Sequence, residues 1–315
     1  MAIGAERKSP IETVRNLKRG ISGITIPELG SPHVVGKVRE NWIVEVGYSK
    51  YRILAATDRV SAFDRNTGTI PGKGRVLTLL SEFWFERTKD IIPNHMLSVP
   101  HPNIMVAKEA EETLPVEITV RAHESTGTII TPTTKAEKGR HGKELNDQKA
   151  LEIVDGRLGD GIWNQAKNAA LDVFKRASAI CLEKDLVLAD TKFEFGMDEN
   201  GYLRLIGELL TPDSSRFWLA ETYKDRLESG ENPEAFDNEI LERWLAERGF
   251  KGEGPIPQVD PQTIRKMAES YAFLYRMLTG KNLPEEDLRT TQYIQLPNTK
   301  AVSKYVSTAV YFNRD

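Results

Sequence analysis

Within residues 186–218, LVLADTKFEFGMDENGYLRLIGELLTPDSSRFW, two acids and a base recur at every second position: Asp190, Lys192 and Glu194. Side chains of an extended strand alternate between faces, so these three share one side while Phe193 and Phe195 take the other. Two carboxylates beside an ammonium, backed by aromatics, suit a polar site built on a rigid core. Further on, Glu208 leads into Thr211-Pro212-Asp213-Ser214-Ser215-Arg216, a loop of hydroxyls closed by an arginine. Such a loop suits carboxylate or phosphate oxygens, because arginine offers a planar donor fork and serine and threonine add hydroxyl donors. The alternative for the same pattern is a solvated hairpin carrying surface ion pairs.

The elements that must position these groups are visible in the periodicity. Residues 186–188 open a strand, Asn200-Gly201 marks a turn, and residues 202–206 form the returning strand. Trp163, Ala166, Ala170, Val173, Phe174, Ala177, Ile180 and Cys181 trace one face of a long helix that feeds this hairpin, which makes Cys181 a buried small residue and not a nucleophile. Upstream, VVGKVRENWIVEV and YRILAAT read as a hairpin with its turn at residues 47–50. Alternation in its first arm puts Lys37 and Arg39 on one face, a spacing that can hold a polyphosphate. DRVSAFD, ending in Asp64, follows directly after a strand, where loops carry function.

Pro71-Gly72-Lys73-Gly74-Arg75 lacks the spacing and the Lys-Ser/Thr ending of a phosphate-binding P-loop. After it, Leu77, Leu80, Phe83, Trp84 and Thr88 recur at helical spacing. Residues 116–120 read as a strand ending at Arg121, residues 131–137 as a hydroxyl-rich turn carrying Lys135, and the charged run 135–144 as a loop. Helices are expected around 240–245 and over 261–278, the second ended by Gly280. Residues 1–30 look like an irregular polar arm, and the tail from Gln292 is weakly strand-like.

Composition narrows the function. A net charge of -3 and a pI near 6.1 argue against a nucleic-acid coat, which carries a basic excess. One cysteine excludes an internal disulfide framework, and with five scattered histidines it leaves no zinc-ligand spacing. Neither a signal peptide nor a membrane-length apolar run is apparent, so a cytoplasmic protein is expected. No nucleophile elbow and no dinucleotide fingerprint occurs. Carboxylates and cations spread over several strands and loops remain, and they fit phosphoryl chemistry, which works by positioning and electrostatics.

The blocks GKVRENW, ATDRVSAFD, IPGKGRVLTLLSEFWF, TPTTKAEKGRH, LVLADTKFEFG, LLTPDSSRFW and YAFLYRMLTG, in this order between Gly36 and Gly280, resemble those of the SAICAR synthetase family. The resemblance implies an α+β fold in which an N-terminal antiparallel-sheet domain (31–115, after an arm at 1–30) covers a C-terminal α+β domain (116–315), with ATP in the cleft. It implies a carbon-nitrogen ligase that uses ATP and Mg2+ to phosphorylate the imidazole carboxylate of carboxyaminoimidazole ribonucleotide. The amine of L-aspartate then attacks the acyl phosphate. By the same resemblance Asp190, Lys192 and Glu194 are catalytic, with Asp190 and Glu194 on the metal. Lys37, Arg39, Lys135 and Glu208 serve the nucleotide, and Asp64, Arg121, Asp213, Ser215 and Arg216 the substrates. The implied partners are small-molecule nucleotide and amino-acid substrates, not nucleic acid or membrane, with a homo-oligomer left open.

Four departures from the family pattern stand out. Gly207-Glu208 replaces the usual Asp-Glu, and His141-Gly142-Lys143-Glu144 replaces His-Asp-Glu. The substrate loop after Arg121 is cut down to AHESTGTII. The usual Phe-Asp-Lys-Gln and following Arg become Phe236-Asp237-Asn238-Glu239 and Glu242. Two further readings therefore stand beside the ligase: a paralogue acting on a modified purine-precursor nucleotide in nucleoside natural-product biosynthesis, and a non-catalytic nucleotide-binding protein.

Overall fold

The computed structural model describes residues 20–63, 65–123, 127–135, 142–231, 233–234 and 236–284, together with the backbone of strands at 292–296 and 306–314. In chain order come β1 (Ile21–Thr25), β2 (Val34–Val35), β3 (Arg39–Val46), β4 (Ser49–Ala56), β5 (Arg59–Ala62), β6 (Arg65–Thr69), α1 (Lys73–Thr88), β7 (Met96–His101) and β8 (Ile104–Lys108). Then follow β9 (Glu112–Thr113), β10 (Val116–His123), β11 (Gly127–Thr134), α2 (Asp147–Leu158), α3 (Ile162–Leu182), β12 (Leu186–Met197), β13 (Leu203–Ile206) and β14 (Ser215–Leu219). The chain continues through α4 (Tyr223–Glu228), α5 (Glu239–Glu247), α6 (Pro261–Thr279), β15 (Gln292–Leu296) and β16 (Val306–Arg314).

Two antiparallel sheets carry the architecture. The first runs in the order β2-β3-β4-β8-β7; the second is built on β12, which is long enough to change neighbours along its length. Residues 186–191 of β12 lie beside β14, with Asp190 opposite Arg216, and residues 190–193 pair with β10 on the other edge. Beyond Phe193 the partners become β13 and β9. Past an irregularity between Leu188 and Asp190, alternation holds from Lys192 to Phe195: Phe193 and Phe195 are fully buried while Lys192 and Glu194 stay partly exposed. Each buried phenylalanine contributes about 2–3 kcal/mol of apolar burial, which fixes the register that aims the polar set the other way. Helix α3 packs against β12 and buries Trp163, Ala166, Ala170, Val173, Phe174, Ala177 and Cys181, as its spacing requires.

Several elements differ from the sequence expectation. Residues 131–134 are strand and not a turn, because β11 pairs with β10 along its whole length and that ladder overrides local turn chemistry. Residues 36–38 form a turn, closed by the Gly36 N–H donating to the Arg39 carbonyl at 2.8 Å, so β3 begins at Arg39. The irregular arm ends in β1, which pairs with β16 and buries Ile21 and Ile24. Helix α2, capped by the Asn146 side chain accepting from the Lys149 N–H at 2.8 Å, carries no strong apolar face and was not anticipated.

Candidate active site

Two cavities open on the polar side of β12. The first, a cleft of about 300 Å³, lies between β3 and β4 of the first sheet and the β12–β13 end of the second. Arg39, Arg52, Lys108 and Lys135 supply its cations, and Glu109, Glu194 and Glu208 its carboxylates. Arg39 Nη1 sits 2.9 Å from Glu208 Oε2, and Lys135 Nζ lies 3.5 Å from Glu194 Oε2. Arg52 grips Glu109 with Nε and Nη2, at 2.6 and 2.5 Å. Burial works against the charge of Glu208, but Arg39, the Thr211 hydroxyl donating to Oε2 at 2.6 Å, and Lys73 outweigh it and hold the carboxyl below its usual range. His95 is buried in the wall with Nε2 3.2 Å from the Gly207 carbonyl. A carbonyl only accepts, so Nε2 carries the hydrogen. Burial, helped by Arg52 and Arg39 and opposed by that hydrogen bond, pushes the imidazole down to about 4, which leaves it neutral.

The second cavity, about 370 Å³, lies between the 212–216 loop and the start of α5, with Asp190 in its wall. Asp237, Glu239 and Glu242 line it as well. Arg216 clasps Asp190: Nε lies 3.1 and 3.0 Å from the two carboxylate oxygens, and Nη2 closes the fork on Oδ2. Arg121 Nε stands 3.8 Å from the same carboxylate. Ser215 is buried, its hydroxyl 2.7 Å from that of Thr191. Asp213 is held on both oxygens, by Lys73 and by the Tyr271 hydroxyl donating at 2.9 Å.

Lys192 stands between the cavities on the same strand face and bonds Glu117 Oε1 at 3.0 Å. Burial opposes its charge, yet Glu117 and, beyond it, Glu194 and Glu208 raise its pKa above the usual lysine value. It is therefore a fixed cation at neutral pH and not a proton acceptor.

The structure brings Arg39, Lys135, Glu194 and Glu208 together in the cleft, and Asp190, Asp213, Ser215 and Arg216 around the second cavity. It does not join Asp190 to Glu194. Four residues apart on a strand, their Cα atoms stand roughly 13 Å apart, and each carboxylate has its own cation. Lys37, exposed in the turn before β3, is not among the residues that line the cleft; its carbonyl accepts from Arg59 Nε at 3.1 Å. Asp64 lies outside the described residues. Sequence reasoning missed Arg52, His95 and Glu109, which carry no motif spacing, and gave no role to Tyr271 although it opens the YAFLYRMLTG block.

Two of the departures have a structural reason. A Cβ on Gly142 would lie 2.1 Å from the Thr134 carbonyl oxygen, so this backbone admits no acid there. At Gly207 there is room, 3.6 Å from Glu194 Oε1, but φ is +74°. That left-handed conformation favours glycine, with Asp and Asn the side chains that tolerate it best.

Two cavities share one strand of an α+β scaffold, one rich in cations and the other in acids, an arrangement suited to an enzyme acting on small charged molecules. A model of the SAICAR synthetase family matches residues 33–128 and 123–257. A Mesorhizobium japonicum protein provisionally named phosphoribosylaminoimidazole-succinocarboxamide synthase 2 is 38% identical, over 84% of this chain and 92% of that one. The Legionella pneumophila (strain Paris) phosphoribosylaminoimidazole-succinocarboxamide synthase is 33% identical over 78% of this chain and 87% of its own. The solved SAICAR-synthase from Saccharomyces cerevisiae, complexed with SAICAR, is 27% identical, covers 83% of this chain and 99% of that one, and superposes with a TM-score of 0.69. The chain belongs to the SAICAR synthetase family, whose members are ATP-dependent carbon-nitrogen ligases of purine biosynthesis.

Proposed function

We propose that this chain joins the amine of L-aspartate to the imidazole carboxylate of carboxyaminoimidazole ribonucleotide, with ATP converted to ADP and phosphate through an acyl phosphate. The observation that carries the reading is the placement of β12 across both cavities: Glu194 faces the cleft, Asp190 the second cavity, and Lys192 stands between as a permanent cation. A carboxylate becomes a competent electrophile only after its oxygen is made a leaving group, so donor phosphate and acceptor carboxylate must meet where the two cavities adjoin. Arg39 and Lys135 turn from their glutamates to phosphate oxygens when nucleotide enters. Lys192 faces the charge that gathers between the two ligands.

Magnesium takes one or two protein carboxylates and completes its shell with phosphate oxygens and water. Glu194 fits that requirement, since it lines the cleft and its contact with Lys135 is loose at 3.5 Å. Asp190 does not, since the Arg216 fork already occupies it. A bound divalent ion supplies charge neutralisation on the transferring phosphoryl group. A cytoplasmic site of action accords with a lone, buried Cys181. The test is ADP release by the purified chain, which must require both the nucleotide and L-aspartate; release indifferent to either overturns the assignment.

One observation favours the second reading, a paralogue with an altered substrate. Around the second cavity Arg216 is committed to Asp190, Lys73 to Asp213 and Arg243 to Glu239, while Asn238 and Glu242 stand where the family pattern has cations. ADP release that needs a nucleotide acceptor but is unchanged by aspartate supports this reading.

A further inference from the structure

The Pro71-Gly72-Lys73-Gly74-Arg75 segment has no place in the chemistry above, yet it is among the most constrained parts of the molecule. Gly72 starts α1 with φ +83°. A Cβ on Gly74 would lie 2.4 Å from the Ala56 carbonyl oxygen and 2.6 Å from Asn103 Nδ2, so only glycine lets the first turn of α1 press onto the end of β4. Asp58 fastens that contact by accepting from the Gly74 and Ile21 N–H groups, each at 2.9 Å. The result drives Lys73 into the interior, where its side chain has no exposed surface.

A wholly buried ammonium is costly unless its partners are fixed. Lys73 pairs with Asp213, whose other oxygen accepts from the Tyr271 hydroxyl at 2.9 Å; the same phenol lies 2.8 Å from Asn238 Oδ1 in the second cavity. The Asp213 N–H in turn bonds the Thr211 hydroxyl at 3.3 Å, and that hydroxyl donates to Glu208 at 2.6 Å in the nucleotide cleft. One buried charge thus holds the middle of the loop whose two ends serve different cavities.

We propose that Lys73 is a positioning residue for both cavities: by pinning Asp213 it fixes where Glu208 faces the nucleotide and where Ser215 and Arg216 face the second ligand. The proposal rests on the ligase reading for its activity assay but not for its binding assay. In Lys73→Met the aspartate loses its counter-charge and a net negative charge is left between the cavities. Calorimetry with a non-hydrolysable ATP analogue should show affinity reduced about tenfold, and kcat/KM for ADP release should fall further. In Lys73→Met/Asp213→Asn the pair is neutral again and the Tyr271 hydrogen bond survives, so nucleotide affinity should return to within about threefold of the parent. Circular dichroism and thermal unfolding establish that each variant is folded at the assay temperature. Unchanged affinity in folded Lys73→Met, or a double variant as weak as the single one, overturns the proposal. A parent chain that binds the analogue but releases no ADP defeats the ligase reading and leaves this test standing. A parent chain that binds no analogue defeats both.

Discussion

The cleft beside Glu194 and the second cavity are built on opposite ends of one strand face, and they solve the problem of buried charge differently. In the cleft Arg52 is forked onto Glu109, but Arg39 meets Glu208 through one nitrogen at 2.9 Å and Lys135 stands 3.5 Å from Glu194, so these two cations can exchange a carboxylate for a phosphate oxygen. In the second cavity Arg216 is clamped on Asp190 through both nitrogen positions, and the other charged lining residues are acidic. Each wall also holds one group whose neutral form burial favours, with its pKa moved in opposite directions. His95 in the cleft is lowered to about 4, and Asp237 in the second cavity is raised to about 6. The cleft is poised to receive negative charge, whereas the second cavity must open an ion pair before it can.

The largest effect should come from Glu194→Gln. If Glu194 serves the cleft alone, this change lowers metal-dependent ADP release by about 100-fold or more, whereas Asp190→Asn raises KM for the second ligand and leaves nucleotide affinity intact. Equal damage to nucleotide affinity from both changes would erase the division of β12 into two sites.

Next is the acid limb of stability. His95 takes up its proton near 6.5 when unfolded but near 4 when folded. Between those values the unfolded chain binds the extra proton, so the stability fully present above 6.5 is lost as pH falls towards 4. The loss amounts to about 3 kcal/mol. His95→Gln keeps a donor for the Gly207 carbonyl and should flatten that limb in urea titrations at pH 7 and pH 4.5. An equally steep loss in the variant would assign the limb to other groups.

Gly207→Asp places a second carboxylate beside Glu194 and should tighten metal-dependent nucleotide binding about tenfold, against about 1 kcal/mol of folding stability lost to the left-handed backbone. Calorimetry with and without magnesium reads the first effect and thermal unfolding the second; a side chain there with no influence on metal binding would mean that position 207 does not face the bound phosphates.

The smallest effect concerns Asp237. Burial raises its pKa, the Glu239 N–H opposes this, Glu239 and Asp190 add to it, and Arg216 works against it. Stability it contributes below the unfolded value near 3.8 is lost as pH rises through about 6, and over the same range the cavity gains a negative charge. Binding of an anionic ligand should weaken about threefold between pH 5 and pH 7. Asp237→Asn should make it level, and a slope that persists would place the titrating group elsewhere.

Strand alternation placed Asp190, Lys192 and Glu194 together on the face opposite Phe193 and Phe195, and the structure agrees. It could not show that Asp190 and Glu194 line separate cavities, because that depends on β12 exchanging β14 and β10 for β13 and β9 halfway along. Helical periodicity located α1, α3, α5 and α6, but the first turn of α1 lay hidden, since Gly72 and Gly74 signal a loop in any local reading. Residues 131–134 carry turn chemistry and become strand because β10 pairs with them.

What this sequence settled alone was whatever depends on neighbours in the chain: which side chains share a strand face, which helix faces are apolar, and the ordered blocks that mark the family. Tertiary structure decided which charges meet. Lys73 and Asp213 are 140 residues apart, and Arg39 finds Glu208 across two sheets. Electrostatic pairing acts through space at a few ångströms, and no local pattern records which distant carboxylate will complete a buried cation.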